Sequence, residues 1–241
     1  MKTTSSLSVI LPAYNEEGNI ERTLLEAVAY LEKKFEPYEV IVVNDGSVDR
    51  TGEAVSAISS SNPRIILVNH PDNRGYGSAL RTGFDRASFD YIFLMDSDGQ
   101  FDIRELDHFL PSLEDSVVLI GYRKKRADSF IRTLNAWLYH VYIRIIFGLN
   151  AKDIDCAFKI FPRAAYEKIR PIKSGGALFS AELLIKLIRN GVRIKEIPVS
   201  HYPRLFGKQT GANLGVILRM FKECWNLRHD ITDQEKQNLR K

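Results

Sequence analysis

Apolar residues in the first half of the chain follow two rhythms. Short unbroken runs, Leu7 to Leu11, Val40 to Val43, Ile65 to Val68 and Tyr91 to Met95, are separated by stretches in which apolar positions recur every three or four residues. The runs predict strands and the intervals predict helices. Ile20, Leu24, Leu25, Val28 and Leu31 fall at helical spacing, with Asn15 or Asn19 placed to cap the start, and another helix is predicted over Gly77 to Ala87. Strands alternating with helices imply βαβ units and a parallel sheet, so the expected class is α/β. A fifth apolar run, Val117 to Ile120, carries the series into the second half.

In an open α/β sheet, ligands bind in the crevice beyond the carboxyl ends of the strands. The segments that follow the runs should therefore converge. They are Pro12-Ala13-Tyr14-Asn15-Glu16-Glu17, Asn44-Asp45-Gly46-Ser47-Val48-Asp49-Arg50-Thr51, Asn73-Arg74-Gly75-Tyr76-Gly77-Ser78-Ala79 and Asp96-Ser97-Asp98-Gly99-Gln100. The last puts two carboxylates one residue apart at a strand end. A hard cation such as Mg2+ takes oxygen ligands there and keeps coordination positions for substrate phosphates. By itself the pattern also serves as a turn, since Asp and Gly both favour turns.

With 241 residues, 44% of them hydrophobic, the chain can bury one substantial core, and a single domain over residues 1–228 with a polar tail at 229–241 is expected. No apolar stretch reaches the ~18 residues of a conventional membrane span, and Met1 to Ser6 lacks the basic and apolar regions of a secretory signal. Two cysteines without metal-ligand spacing suit a reducing cytosol. A net charge of +4 permits an anionic partner, and no nucleic-acid partner is expected.

Several other chemistries fail on spacing. Leu80 stands where a dinucleotide fingerprint beginning at Gly75 needs its third glycine, and Gly207-Lys208-Gln209-Thr210-Gly211 lacks both the upstream glycine and the Ser or Thr after lysine of a P-loop. The run Phe93-Leu94-Met95-Asp96-Ser97-Asp98-Gly99 is shared in style with haloacid-dehalogenase-like phosphatases. Those enzymes carry it on their first strand, whereas here earlier βα units precede it.

Taken in order, the four strand-end segments resemble the nucleotide-binding half of family 2 glycosyltransferases with the GT-A fold, and more narrowly the dolichyl- or polyprenyl-phosphate sugar synthases. The resemblance covers roughly residues 7 to 211, divided into a nucleotide-sugar half (7–120) and an acceptor half (121–211). It implies a mainly parallel sheet flanked by helices, and an inverting transfer of hexose from a GDP- or UDP-sugar to a polyprenyl phosphate. Asp45 can accept a hydrogen bond from a ring N–H of uracil or guanine, or cap a turn, and Glu16 can accept from base or ribose. Asp49 suits a cap. Pro12 and Tyr14 are candidates to wall the base pocket. Asp96 and Asp98 are expected to hold Mg2+ or Mn2+ on the diphosphate, with Gln100 contacting or orienting the metal shell.

In the second half the resemblance is carried by Gly121-Tyr122-Arg123, by Asp153 to Lys159 and by Pro203-Arg204-Leu205-Phe206-Gly207. It implies phosphate contacts for Arg123 and Arg204. Lys159 stands where the family has arginine, and lysine binds as a point charge, not a planar fork. Glu182 matches an acidic position near the acceptor, although an exposed charge on an amphipathic helix is an equal reading. An ionised phosphate needs no deprotonation before attack, so Asp98, Arg123, Lys159 and Arg204 mainly align and neutralise. A saccharide hydroxyl would need a base, and Glu182 would supply it.

Two stretches, 129–148 and 212–228, have amphipathic helical spacing. In the first, Phe130, Leu134, Trp137, Leu138, Val141 and Ile145 share a face; in the second, Leu214, Ile217, Leu218, Phe221 and Trp225 do. Such helices can lie in a bilayer interface, so peripheral attachment to the cytoplasmic membrane face is expected. The first could instead be a core helix or a seam between two copies of the chain, which leaves a homo-oligomer open.

Overall fold

The computed structural model describes residues 5–124, 130–176, 178–207, 223–229 and 231, with backbone only for 130–136. Each predicted run forms a strand: β1 (Leu7–Ala13), β2 (Tyr38–Asn44), β3 (Ile65–Asn69), β4 (Tyr91–Met95) and β5 (Val117–Arg123). Between them lie α1 (Ile20–Lys34), α2 (Thr51–Ser59) and α3 (Tyr76–Arg86), followed by α4 (Phe130–Phe147), β6 (Phe158–Pro162), α5 (Arg163–Ile169), α6 (Leu178–Arg189) and β7 (Arg193–Val199).

Seven strands form one sheet in the order β3-β2-β1-β4-β6-β5-β7. All neighbours are parallel except β6, which runs antiparallel to both β4 and β5. The chain moves from β1 outward through β2 to β3, then returns to place β4 on the other side of β1. The order therefore reverses between β1 and β4, and that is where a doubly wound sheet opens a crevice.

Side-chain alternation divides the interior into two layers. Leu7, Val9 and Leu11 face α1, joining Ile20, Leu24 and Leu31. Ile10, Ile92 and Leu94 face the other way, with Leu80 and Phe84 of α3, Tyr166 of α5, Leu183 and Leu184 of α6, and Tyr139 and Ile143 of α4. At roughly 1.5–3 kcal/mol per fully buried large apolar side chain, these layers supply the main force that fixes the strand ends.

Three expectations about elements change. Neither Asn15 nor Asn19 caps α1 with its side chain. Asn15 takes φ 55 and accepts Val48 N–H, while Asn19 donates to Glu16 Oε2 at 2.8 Å. Helix α4 buries Tyr139 and Ile143, so the predicted face splits: Trp137, Leu138 and Ile145 point outward. Most of the second amphipathic stretch lies outside the described residues; within it, residues 223–229 are helical, Cys224 and Leu227 are buried and Trp225 is exposed. Lys125 and Arg126 also lie outside them. Among the described residues, no helix is long and apolar enough to cross a membrane.

Candidate active site

The ends of β1, β2 and β4 deliver their polar segments to one rim. After β2, Asp45 is buried, and its carboxylate is the hub of the next connection. Oδ1 accepts from His70 Nδ1 at 2.7 Å and Arg74 N–H at 3.0 Å, and Oδ2 accepts Gly75 N–H at 2.8 Å. His70 Nε2 in turn lies 2.9 Å from Thr82 Oγ1 on α3. Asp45 is thus neither a bare base reader nor a simple turn cap: it fixes the entry to α3, and Oδ2, with two lone pairs, keeps capacity for a further donor. Gly46 permits this closeness, with φ 67 and a Cβ position only 2.3 Å from the Asp72 carbonyl carbon.

The residue after Gly75 links that hub to β4. Tyr76 donates its hydroxyl to Asp96 Oδ1 at 2.9 Å. Asp96 and Asp98 lie half-buried at the strand end, held by Ser97, whose hydroxyl donates to the Pro12 carbonyl at 2.7 Å, and by Thr23, which donates to the Ser97 carbonyl. Burial first, and then the neighbouring Asp98 charge, raises the Asp96 carboxyl to about 7, against the pull of Tyr76, Arg123 and Lys159. Asp98 is also raised, chiefly by burial. Two adjacent carboxylates kept from water are an electrostatic deficit that a cation relieves.

Across the crevice, Glu16 is buried and its carboxyl is raised by burial, opposed by Asn19 and Arg204. Arg204 reaches over from the segment after β7. Its Nη2 lies 2.5 Å from Glu16 Oε1, its Nη1 3.5 Å from Asp98 Oδ2, and its Nε donates to the Phe206 carbonyl at 2.6 Å. Asp98 and Glu16 therefore meet on one guanidinium.

Other candidates sit differently from expectation. Pro12 is buried at the end of β1 opposite Val43, with its carbonyl taken by Ser97, and Tyr14 two residues on is exposed. Gln100 donates its side-chain amide to the Tyr202 carbonyl at 2.8 Å, and its backbone carbonyl accepts Tyr202 N–H at 2.9 Å, so it clamps the 200–207 segment to the Asp98 turn and that amide nitrogen is committed to the clamp. Arg123 forms a two-pronged pair with Asp153, at 2.6 and 2.8 Å, which raises its already high pKa and ties it to a protein carboxylate. Lys159 is buried in β6 and donates to the Cys156 carbonyl; burial lowers its pKa. Both cations act on Asp96 through the field.

Glu182 departs furthest. It is neither an exposed charge nor an available base: 1% exposed, it accepts the N–H groups of Lys173 and Ser174 and pairs with Lys186 Nζ at 2.7 Å. Burial opposes ionisation, but these donors bring its pKa below the usual value. The loop it holds packs on the first turn of α3, where a Cβ on Gly77 would stand 2.7 Å from Gly176 N. His70 escaped notice in the sequence; Tyr76 and Asp153 stood inside segments that the motifs singled out, but neither was given a role of its own.

Among the described residues, no group of three or more His, Cys, Asp or Glu side chains is placed to enclose a metal. Two aspartates at a strand end fit a cation shared with a diphosphate, which contributes the remaining oxygens, and not a closed protein cage.

The arrangement of sheet, switch point and acidic rim defines the class of GT-A glycosyltransferases. Glucosyl-3-phosphoglycerate synthase from Mycobacterium tuberculosis, solved with Mn2+ and UDP-glucose, superposes with a TM-score of 0.69 over 93% of this chain and 79% of that one, at 22% identity. Residues 8–170 match the Glycosyl transferase family 2 model, and the chain belongs to that family. It is 33% identical over 221 residues to the dolichyl-phosphate beta-glucosyltransferase of Saccharomyces cerevisiae, covering 80% of this chain and 66% of the relative. It is 28% identical over 243 residues to the polyprenol monophosphomannose synthase of Mycolicibacterium smegmatis, covering 95% and 89%. The chain thus spans slightly under two thirds of the length of the yeast relative.

Proposed function

We propose that this protein transfers a hexose, with inversion, from a GDP- or UDP-sugar to a polyprenyl phosphate at the cytoplasmic face of a membrane. The observation that carries the reading is the pairing of Asp96 and Asp98 at the β1–β4 switch point, where burial and mutual repulsion raise Asp96 to about 7 and call for a cation. Mg2+ or Mn2+ held there would neutralise the diphosphate and stabilise the departing nucleotide. Asp45 and Glu16 would accept hydrogen bonds from the base and ribose, with Tyr14 beside them.

Arg204 is the cation best placed to grip a phosphate, since its guanidinium already lies within the acidic rim and can form paired charge-assisted bonds to phosphate oxygens. Arg123 and Lys159 contribute field instead of contact. An ionised phosphate acceptor needs no base, which accords with a structure in which the base expected for a hydroxyl acceptor, Glu182, is buried and engaged by Lys173, Ser174 and Lys186. The names of the yeast and mycobacterial relatives support a lipid-phosphate acceptor over a saccharide hydroxyl.

The test incubates purified protein and Mg2+ or Mn2+ with labelled GDP- and UDP-sugars and either polyprenyl phosphate or oligosaccharides, followed by organic extraction. Label should enter the organic phase only with the lipid phosphate and divalent cation. Transfer to oligosaccharide alone would refute the lipid acceptor.

A further inference from the structure

We infer that Arg204 is a built-in competitor of the divalent cation: it holds the strap 200–207 over the acidic rim through Glu16 and Asp98, and cation binding releases it. This rests on the reading of Asp96 and Asp98 as the cation site.

The geometry makes the two positive charges rivals. Glu16 and Asp98 repel each other, and Arg204 neutralises both at once, 2.5 and 3.5 Å away. All three side chains are mostly buried, at 9%, 14% and 14% exposure, so their interactions are little screened. A doubly charged ion on Asp98 would face the guanidinium at a range where like charges in a partly buried site repel strongly. Both cannot keep Asp98 without a large cost.

Arg204 also fixes the strap itself. Its Nε donates to the Phe206 carbonyl, the same oxygen that accepts from Asn19 Nδ2 at 3.2 Å, and Gly18 lies so close beneath that a Cβ there would stand 2.8 Å from Phe206 Cβ. Leu205 and Phe206 meanwhile leave most of their apolar surface exposed, so little hydrophobic burial holds this end of the strap. Arg204 is its polar attachment here, while the other end is held by the Gln100–Tyr202 clamp, by Ser200 N–H on Glu105 and by the His201 ring against Phe101. Once the cation takes Asp98, the guanidinium is free to turn to a phosphate oxygen, carrying Leu205 to Gly207 with it.

The experiment measures Mn2+ affinity by electron paramagnetic resonance for the wild type and Arg204→Met, with and without UDP. It also follows backbone hydrogen exchange over residues 204–207, with Glu16→Gln as a second variant. Arg204→Met should bind Mn2+ alone roughly tenfold more tightly, a discounted share of the unit-charge repulsion. Mn2+ should accelerate exchange of the strap in the wild type, and Glu16→Gln should loosen it without Mn2+. Equal or weaker Mn2+ binding by Arg204→Met, or a strap indifferent to Mn2+ and to Glu16→Gln, would overturn the competition while leaving the cation site intact. Failure of both proteins to bind Mn2+, even with UDP, would remove the cation site and this inference together.

Discussion

Asp96 shows how one residue's environment trades stability for chemistry. Its carboxyl is lifted from 3.8 to about 7 by burial and by Asp98. Between those values the folded state holds a proton on Asp96 that the unfolded chain releases, so this group's contribution to stability falls as pH rises from about 4 to 7 and is level above that. Replacing the ionisable group should remove the penalty. Asp96→Asn is expected to be more stable than wild type by roughly 1–3 kcal/mol at pH 8, with the difference shrinking toward pH 4, in urea titrations across that range. A variant no more stable at pH 8 would mean that the folded protein accommodates the charge without cost. This pair was legible in the sequence because strand and acidic turn are contiguous. The burial of Lys159 was not: its strand neighbours are Leu94 of β4 and Ile120 of β5, far upstream in the chain.

At the scale of elements, the apolar runs announced β1 to β5 closely, since unbroken β-branched stretches have few other uses. The antiparallel insertion of β6 between β4 and β5 was hidden, as Phe158-Lys159-Ile160 carries a charge that reads as a surface position until its burial is known. Helix α6 misled in the same way. Glu182 and Lys186 are one turn apart, a spacing that ordinarily marks a solvated face, yet both are buried and hold the 173–174 connection. Removing one buried partner leaves the other charge uncompensated, and such losses run to about 3–5 kcal/mol. Glu182→Gln should therefore lower the melting temperature markedly, and Glu182→Gln combined with Lys186→Met should recover part of the loss in the same thermal scan. A double variant as unstable as the sum of its parts would contradict the pairing. The same logic alters what a Glu182 variant reveals about chemistry: lost transfer would report a displaced loop, so it must be read against stability.

For the whole molecule, the proposed lipid-phosphate acceptor requires a face that can rest on a membrane. Helix α4 and the 223–229 helix contribute Tyr139, Ile143, Cys224 and Leu227 to the same core layer, so they flank one side of the sheet. Each also turns large apolar groups outward: Trp137 is 59% exposed, Ile145 75% and Trp225 62%. Single exposed apolar residues are ordinary, but two tryptophans and an isoleucine on helices that share one core layer are the residue types by which a helix rests in a bilayer interface. If it does, transferring such side chains out of water contributes up to roughly 1.5–3 kcal/mol each, and anionic headgroups add attraction to a chain of net charge +4. Trp137→Glu with Ile145→Glu should then reduce cosedimentation with anionic vesicles at least about tenfold, since a loss of ~1.4 kcal/mol suffices for that. The melting temperature should hardly move, because both side chains already face outward. Transfer to a short, water-soluble prenyl phosphate should persist, while transfer to vesicle-borne acceptor falls. High salt alone should weaken binding only in part, because screening leaves the apolar contribution intact. Undiminished vesicle binding by the double variant would mean that this face does not carry the attachment.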